Sequence, residues 1–241
     1  MKGQRGFPIR LVAARWLSAS VRSLIFEPAD RFEYRAGQSV QLTVPTKSGL
    51  FMRRPYSMAS APGALEGSRF EIAVTRVENG ATSTALHALP IGAELMAEGP
   101  HGGWLSLSSD ERGLRTLLVA TGSGLAPLRA LVQEQLTLAG PLAFRLLFGC
   151  RTTGDILWRD ELDSWGLQPK RLSVEVTLSR PDLEWVGRTG YVQRHLDELI
   201  RELDPELILI CGLSPMVDEV ERRARELGVS GDAIRTEAYD R

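Results

Sequence analysis

Two glycines lie where a buried strand is predicted to turn into a helix. Gly122 and Gly124 follow the apolar run Leu114–Ala120 and precede a segment with apolar residues at helical spacing. Glycine lets the backbone turn tightly and approach a pyrophosphate, whose negative charge the N-terminus of the helix favours. The same pair also occurs in ordinary strand–helix turns. The turn alone therefore leaves nucleotide binding and a purely structural role as alternatives.

This turn departs from the dinucleotide-binding fingerprint in two ways. Ala126-Pro127 stands where a third glycine is expected. Cys150-Arg151 follows the next predicted strand, where an acidic residue would bind the ribose hydroxyl of NAD. Without that acidic residue, the turn favours a coenzyme that carries a phosphate on its ribose.

Polar residues after the third strand of this region indicate the same coenzyme. Ser179-Arg180 follows the run Leu172–Leu178, and Arg188 and Tyr191 come soon afterwards. A hydroxyl, guanidinium groups and a phenol together suit a ribose phosphate and the adenine beside it. The sequence therefore favours NADPH over NADH, with Arg151 as a further candidate for coenzyme binding.

A second set of candidates lies in the first hundred residues. The cluster Arg53-Arg-Pro-Tyr-Ser-Met58 ends a predicted strand, and its side chains suit a pyrophosphate and an aromatic ring with a polar edge. Gly80-Ala-Thr-Ser83 opens a short predicted helix and offers backbone N–H groups and hydroxyls to a phosphate. Taken singly, each cluster has an ordinary alternative: an edge strand with a surface arginine, or a capped short helix.

The elements that must position these residues change in kind near Asp110. Before it, short strand-like runs alternate with proline and glycine, which predicts an all-β barrel or sandwich with one short helix over Thr82–Leu89. After it, apolar strands alternate with helical patterns, which predicts a parallel sheet covered on both faces. We therefore expect two domains, residues 1–110 and 111–241, with the boundary within Ser108–Leu114.

Composition excludes several classes of protein. The 241 residues carry 29 basic and 30 acidic side chains, without the basic excess expected of a duplex-binding protein. Two cysteines and three histidines are too few for a four-cysteine iron–sulfur cluster and a poor basis for structural zinc. No apolar run approaches the roughly 20 residues that span a bilayer, and no secretory signal is visible. We expect a cytoplasmic protein that uses ordinary side chains or an organic cofactor, and no metal.

Six motifs, in order, resemble those of the ferredoxin–NADP⁺ reductase superfamily, and the resemblance covers almost the whole chain. They are Arg54-Pro-Tyr-Ser57, Gly80-Ala-Thr-Ser83, Gly99-Pro-His-Gly102, Thr121-Gly-Ser-Gly-Leu-Ala-Pro127, Cys211-Gly-Leu-Ser-Pro-Met216 and Glu237-Ala-Tyr239. The resemblance implies an N-terminal antiparallel six-stranded β-barrel that binds FAD. It also implies a following parallel-sheet α/β domain that binds NADP, with NAD possible, and an enzyme that moves electrons between NADPH and a one-electron carrier.

The resemblance further implies a role for each motif residue on the barrel. Arg54 would contact the flavin phosphates, Tyr56 beside Pro55 would pack against the isoalloxazine, and Ser57 would hydrogen-bond near its reactive N5 atom. The residues implied to hold the flavin pyrophosphate are Gly80, Ala81, Thr82 and Ser83.

In the second domain the resemblance implies a complete coenzyme site. The residues implied for the coenzyme pyrophosphate are Thr121, Gly122, Gly124 and Pro127, and those for the 2′-phosphate and adenine are Ser179, Arg180, Arg188 and Tyr191. Cys211 and Glu237 would flank the nicotinamide, beside Gly212 and Met216, and Tyr239 would stack on the flavin. Ser57, Cys211, Glu237 and Tyr239 are thus the candidate catalytic residues.

The expected electron acceptor is a ferredoxin or a flavodoxin. Residues 1–110 carry 12 basic and 9 acidic side chains, so a mildly basic face is expected to receive an acidic carrier. The basic residues proposed for it are Arg10, Arg15, Arg22, Arg35 and Arg53. Two alternatives stay open: an NADH-dependent reductase component of an oxygenase system, and a non-catalytic flavin-binding subunit. The sequence does not indicate an oligomeric state.

Overall fold

The computed structural model describes residues 6–47, 49–140, 142–167 and 171–239, which form two six-stranded sheets. The strands are β1 (Phe7–Trp16), β2 (Val21–Pro28), β3 (Gln38–Pro45), β4 (Phe51–Ser57), β5 (Phe70–Thr75), β6 (Glu94–Gly102), β7 (Arg115–Thr121), β8 (Ala143–Cys150), β9 (Leu172–Leu178), β10 (Arg188–Thr189), β11 (Leu207–Gly212) and β12 (Ile234–Ala238). The helices are α1 (Ala81–His87), α2 (Leu125–Thr137), α3 (Arg159–Gly166), α4 (Leu196–Leu203) and α5 (Ser214–Glu226).

The first sheet is antiparallel throughout, in the order β4-β3-β6-β1-β2-β5. Alternate side chains point inward, so Val40, Leu42 and Val44 of β3 are buried while the residues between them are partly exposed. The sheet curls until its edges meet at a bridge between Met58, just after β4, and Ile72 of β5. The predicted antiparallel six-stranded barrel is confirmed, with its one predicted helix as α1.

The second sheet is parallel, in the order β10-β9-β8-β7-β11-β12. Its central strands are apolar on both faces because helices cover both. In β7, Leu118 and Ala120 belong to the buried cluster that includes α2 and α3, while Leu117 and Val119 belong to the one that includes α4 and α5. The predicted parallel sheet with helices is confirmed.

The direction in which this sheet is built reverses between β7 and β11. From β7 the chain proceeds outward through β8, β9 and β10, and it then returns to the other side of β7 as β11. At such a reversal the connections leave neighbouring strands in opposite directions and open a crevice beyond the carboxyl ends of the strands. Thr121 and Gly212 end the two strands at this crevice.

The two sheets pack through an apolar interface. Ala59 and Leu105 of the first part lie in the same buried cluster as Leu118 and Leu125 of the second. The predicted boundary within Ser108–Leu114 falls in the segment between β6 and β7, and the division at residue 110 stays a prediction. Within the described residues, no helix combines the length and the apolar character that crossing a membrane requires.

Candidate active site

The carboxyl ends of β7 and β11 lie side by side, and a glycine lets the start of α2 pack closely against the end of β11. Cys211 of β11 pairs with Ala120 of β7 and with Glu237 of β12. A Cβ atom on Gly124 would overlap the carbonyl oxygen of Cys211. Because no side chain fits there, glycine is required where α2 begins against β11.

A Cβ atom on Gly212 would meet side chains rather than backbone, whereas Gly122 faces open space. A Cβ atom on Gly212 would lie 2.5 Å from Met216 Cε and would overlap Thr121 Oγ1. Gly122 has a φ of +53°, and no atom lies within 4 Å of where its Cβ would be. The first turn of α2 contains Pro127 and no acidic residue. This open turn at a helix N-terminus suits an anion.

A hydrogen bond joins the two sheets at the crevice. Ser57, the last residue of β4, donates its hydroxyl to Glu237 Oε1 at 2.5 Å. Burial raises the pKa of the Glu237 carboxyl above 4.5, and the bond from Ser57 opposes that shift. Glu237 therefore holds a proton to a higher pH than a surface glutamate does.

Tyr239 and Cys211 complete this cluster. The Tyr239 N–H donates to the carbonyl of Gly212 at 3.1 Å, and its hydroxyl donates to the carbonyl of Ser123 at 3.4 Å. The residue keeps 39% of its surface exposed, and its hydroxyl lies beside Cys211 and Ser57. Burial raises the pKa of the Tyr239 phenol well above 10 and that of the Cys211 thiol well above 9, so both stay protonated at neutral pH. The structure thus brings the four candidate catalytic residues together.

The remaining candidates of β4 lie just before Ser57. Arg54 and Pro55 are exposed, and Tyr56 is half-buried against the barrel core. Nη1 of Arg54 donates to the Arg53 carbonyl at 2.8 Å, and its guanidinium forms no ion pair with a described carboxylate. Burial raises the pKa of Tyr56 to about 12, against the effect of the Arg54 charge. A cation without an acidic partner beside an aromatic ring suits a phosphate and a planar ligand.

The segment Gly80–Ser83 begins α1, with Ala81 exposed and Thr82 buried. The Ser83 hydroxyl donates to the Gly80 carbonyl and accepts from the Val77 N–H, both at 3.1 Å. A Cβ atom on Gly80 would lie 2.7 Å from Ser83 Oγ. The Ser83 hydroxyl is therefore used to shape this loop, and pyrophosphate binding by the segment stays a prediction.

Three candidates for the coenzyme phosphate lie together where β8 and β9 end. The Ser179 N–H donates to the Cys150 carbonyl at 3.0 Å, and the Arg180 N–H donates to the Arg151 carbonyl at 2.8 Å. Both arginines are exposed, and Tyr191, beyond β10, is 67% exposed. Two exposed guanidinium groups on adjoining loops are a suitable arrangement for a phosphate.

Arg188, the fourth residue predicted to bind the 2′-phosphate and adenine, instead forms ion pairs within the protein. Its guanidinium donates to Glu175 and to both carboxylate oxygens of Glu198, the latter at 2.8 and 2.6 Å. Two carboxylates neutralise it, so it offers no free positive charge to a ribose phosphate. We therefore leave Arg188 out of the phosphate site and assign it to the contact of β10 with β9 and α4.

Two further residues at the site were not indicated by any motif. Thr75 of β5 donates its hydroxyl to Ser123 Oγ at 2.9 Å and so joins the barrel to the turn before α2. Arg194 is exposed, and its side chain lies against Gly190 beside Tyr191. Thr75 lies in a regular strand, where nothing distinguishes it. The only signal in the sequence for Arg194 was its positive charge three residues after Tyr191.

Comparison with known proteins agrees with this geometry. Residues 8–105 match the oxidoreductase FAD-binding domain, and residues 118–222 match the oxidoreductase NAD-binding domain. Ferredoxin–NADP reductase B of Sorangium cellulosum is 46% identical over 244 residues, covering 97% of this chain and 98% of the relative. The chain belongs to the ferredoxin–NADP reductase family. The predicted superfamily is therefore confirmed.

Solved structures of ferredoxin reductases share the fold of this chain. The ferredoxin reductase in carbazole 1,9a-dioxygenase aligns with a TM-score of 0.82 at 24% identity, over 98% of this chain and 69% of its own. A ferredoxin NADP⁺ reductase from Neisseria gonorrhoeae with bound FAD and NADP aligns with a TM-score of 0.81 at 16% identity, over 97% and 98%. At these identities the comparisons establish the fold.

As a family member, the chain is an oxidoreductase with FAD-binding and NAD-binding domains, and both predicted cofactors fit its residues. On the flavin side, Arg54 has no acidic partner among the described residues and lies beside the half-buried Tyr56. On the coenzyme side, the open turn at Gly122 and the exposed Arg151 and Arg180 suit phosphates. Between the two sides lies the bond from Ser57 to Glu237.

Proposed function

We propose that this chain takes a hydride from NADPH and passes single electrons through FAD to a ferredoxin or a flavodoxin. The observation that carries the proposal is the hydrogen bond from Ser57 to Glu237. It joins the end of the candidate flavin strand to the strand beside the candidate nicotinamide crevice. The name of the Sorangium relative supports ferredoxin as the carrier class.

Bound FAD supplies a planar ring that accepts a hydride and releases electrons one at a time. The contribution of the chain is chiefly positioning, because hydride donor and acceptor must lie about 3–3.5 Å apart. Ser57 and Glu237 orient the two strand ends, and the raised pKa of Glu237 suits it to exchange a proton through the Ser57 hydroxyl. Gly212 lets Thr121 and Met216 pack closely beside the buried Cys211, at the end of β11 where the nicotinamide is proposed to lie. Tyr239 covers this space and excludes water from it.

The coenzyme is proposed to lie across the carboxyl ends of the parallel strands. The residues proposed for its pyrophosphate are Thr121, Gly122, Gly124 and Pro127, and those for its 2′-phosphate and adenine are Arg151, Ser179, Arg180 and Tyr191. One observation favours NADH as the competing donor: Arg188 is neutralised by Glu175 and Glu198. The second candidate function is therefore an NADH-dependent reductase component of an oxygenase system.

The proposed attraction of an acidic carrier depends on fewer arginines than the sequence predicted. Arg10 pairs with Glu27, Arg53 pairs with Glu98, and Arg22 donates to the carbonyl of His87. Arg15 and Arg35 are exposed. If this face receives an acidic ferredoxin, electron transfer to it slows as salt rises; a rate independent of salt would contradict the docking site. The cytoplasmic location stays a prediction.

An anaerobic titration of the flavin-loaded protein with NADPH, and separately with NADH, tests the proposal. The expected result is bleaching of the flavin absorbance at a much lower concentration of NADPH. Bleaching preferentially by NADH would support the oxygenase-reductase alternative. A yellow protein that neither coenzyme reduces would contradict both and favour a passive flavin-binding subunit.

A further inference from the structure

A buried ion pair crosses the interface between the two sheets, and neither of its residues belongs to a motif. Nη1 of Arg129, in α2, lies 2.9 Å from Oε2 of Glu71, in β5. The two side chains are only 8% and 3% exposed. Charged side chains are almost never buried this deeply unless they are paired.

The direction of Glu71 explains how a charge comes to lie here. Its neighbours Phe70 and Ile72 point into the barrel core, so Glu71 points outward, toward the second sheet. Besides Arg129, its carboxylate accepts from the Ser23 hydroxyl at 2.5 Å and from Trp158 Nε1 at 3.1 Å. Donors from both sheets therefore converge on one carboxylate.

Arg129 is held on its other sides as well. Nη1 also donates to the carbonyl of Ala59 at 2.5 Å, and Nε donates to Glu161 at 2.5 Å. The guanidinium lies 4.6 Å from the ring centre of Trp158, a cation–π contact. Trp158 itself has a φ of +48°, a conformation that a bulky residue keeps only where its surroundings hold it.

These contacts connect directly to the candidate hydride site on both sides. On the barrel, Ala59 follows Ser57 by two residues. On the second sheet, Arg129 lies one helical turn after Leu125, next to the Gly124 that abuts the Cys211 backbone. Cys211 pairs with Glu237, and Glu237 accepts from Ser57. The contacts thus form a closed ring around the crevice that crosses between the sheets at Arg129 and at the Ser57 bond. Other hydrogen bonds cross nearby, from Thr75 to Ser123 and from the Ala61 N–H to Gln133, but in the described residues Arg129 makes the crossing in which both charged partners are buried.

We propose that Arg129 is a positioning residue that sets the distance between the flavin-bearing strand end and the nicotinamide crevice. This inference rests on the proposed function. A buried ion pair adds little stability compared with an apolar pair of the same volume, whereas a planar guanidinium fork specifies direction and distance. Interfaces between domains otherwise permit relative motion. The pair therefore supplies geometry at a place where about 1 Å decides the rate of hydride transfer.

The test compares the full-length, flavin-loaded protein with two variants. Arg129→Met/Glu71→Gln removes both charges of the buried pair, and Glu161, which is 25% exposed, keeps its hydrogen bond from Gln133. Arg129→Lys keeps the charge without the fork. The control is Arg223→Met, which breaks ion pairs to Asp197 and Glu226 inside the second part of the chain. The first measurement is the limiting rate of flavin reduction at saturating NADPH, with the dissociation constant from the same titration. The second is calorimetry of the protein with and without flavin.

We expect the double variant to reduce flavin at least about tenfold more slowly, with a dissociation constant within about threefold of wild type. Arg129→Lys should give an intermediate rate. In calorimetry we expect the wild type to unfold in a single transition and the double variant in two. Arg223→Met should lower the unfolding temperature at an unchanged rate.

Three outcomes would overturn the inference. One is a folded double variant with the wild-type limiting rate, even if its calorimetric transition separates. The second applies if the double variant does not fold: Arg129→Lys then reduces flavin at a limiting rate within twofold of wild type. If neither coenzyme reduces the flavin of the wild type, the proposed function fails, and calorimetry then tests Arg129 separately. In that case the third outcome is a single calorimetric transition in the double variant, which would show that Arg129 does not link the two sheets.

Discussion

Ser57 and Glu237 are 180 positions apart in the chain, and a hydrogen bond of 2.5 Å joins them. Ser57 ends β4 of the barrel, and Glu237 lies in β12, at one edge of the parallel sheet. Neither sheet alone can form this bond. The chemistry of the site therefore depends on how the two sheets are docked.

Replacing Ser57 with alanine is expected to slow flavin reduction by NADPH about 10- to 100-fold, because the two strand ends lose a direct link where small displacements matter. Flavin should stay bound, since Arg54 and Tyr56 are unchanged. Stopped-flow absorbance gives the rate, and the ratio of flavin to protein absorbance gives the occupancy. Ser109→Ala, at an exposed serine outside the site, is the matched control. Loss of flavin from the Ser57 variant would instead assign this residue to cofactor binding.

Glu237→Gln is expected to stabilise the protein more at pH 8 than at pH 5. The carboxyl pKa of Glu237 is raised above 4.5 by burial, so the folded state binds its proton more tightly than the unfolded state. Stability from this group is therefore present at low pH and lost as pH rises through the raised pKa. Thermal unfolding of both proteins across this range gives the difference.

The matched control for that experiment is a glutamate whose pKa is shifted in the opposite direction. The pKa of the exposed Glu219 is lowered by its hydrogen bond from Arg222, so its contribution is lost as pH falls. Glu219→Gln should therefore be slightly destabilising at pH 8, by an amount that does not grow between pH 5 and pH 8. If the difference in stability between Glu237→Gln and wild type does not change with pH, this carboxyl keeps an ordinary pKa.

Cys211 is expected to resist alkylation in the folded protein. It is completely buried, so the reagent cannot reach it, and burial raises its pKa well above 9, so almost none of it is in the reactive thiolate form. Cys150 is partly exposed, but burial raises its pKa to about 12, so it should react slowly. Mass spectrometry after iodoacetamide treatment measures both sites, with the urea-unfolded protein as control. Rapid native labelling of Cys211 would mean that the crevice opens to solvent.

Arg180→Gln is expected to weaken NADPH binding about 10- to 100-fold and to leave NADH binding nearly unchanged, because a hydrogen bond to a charged group contributes about 1.5–3 kcal/mol. The comparison variant is Arg188→Gln, at a guanidinium that two carboxylates already neutralise. It should lower the unfolding temperature and leave the ratio of the two affinities unchanged. Equal losses for both coenzymes in the Arg180 variant would remove Arg180 from the phosphate site.

Gly124→Ala is expected to destabilise the protein by about 1–3 kcal/mol, because the added methyl group overlaps backbone that cannot move aside freely. Gly166→Ala, at the end of α3 with open space around it, should instead be neutral or stabilising by up to about 1 kcal/mol. Urea unfolding of the two variants gives both values. A Gly124 variant as stable as wild type would show that the turn can shift away from β11.

Much of the fold was predictable because its strands bury apolar residues in patterns of period two or in continuous runs. Neither pattern occurs in the two-residue β10 or in β12, whose sequence is Ile-Arg-Thr-Glu-Ala. Strand β12 lies at the edge of the sheet, so pairing with β11, not burial, makes it a strand. Glu237 was therefore recognised only through its motif.

The candidate site was predictable in its residue types but not in all of its contacts. Ser57, Cys211, Glu237 and Tyr239 were expected to meet, and they do. Arg188 resembled a phosphate-binding residue, yet its partners Glu175 and Glu198 come from neighbouring elements, and local sequence does not reveal such pairings. The contact of Glu71 with Arg129 was missed for the same reason: each looks like an ordinary surface charge in sequence.

The buried pair of Glu71 and Arg129 also limits how this architecture can be recombined. Transplanting the parallel-sheet half from a relative would bring a new residue to position 129 while Glu71 stays behind. Unless that residue is again a cation of the same reach, the chimera encloses an unmatched carboxylate, a defect that costs about 3–5 kcal/mol in buried pairs. The two halves are thus not freely exchangeable modules, and a working hybrid has to inherit positions 71 and 129 together.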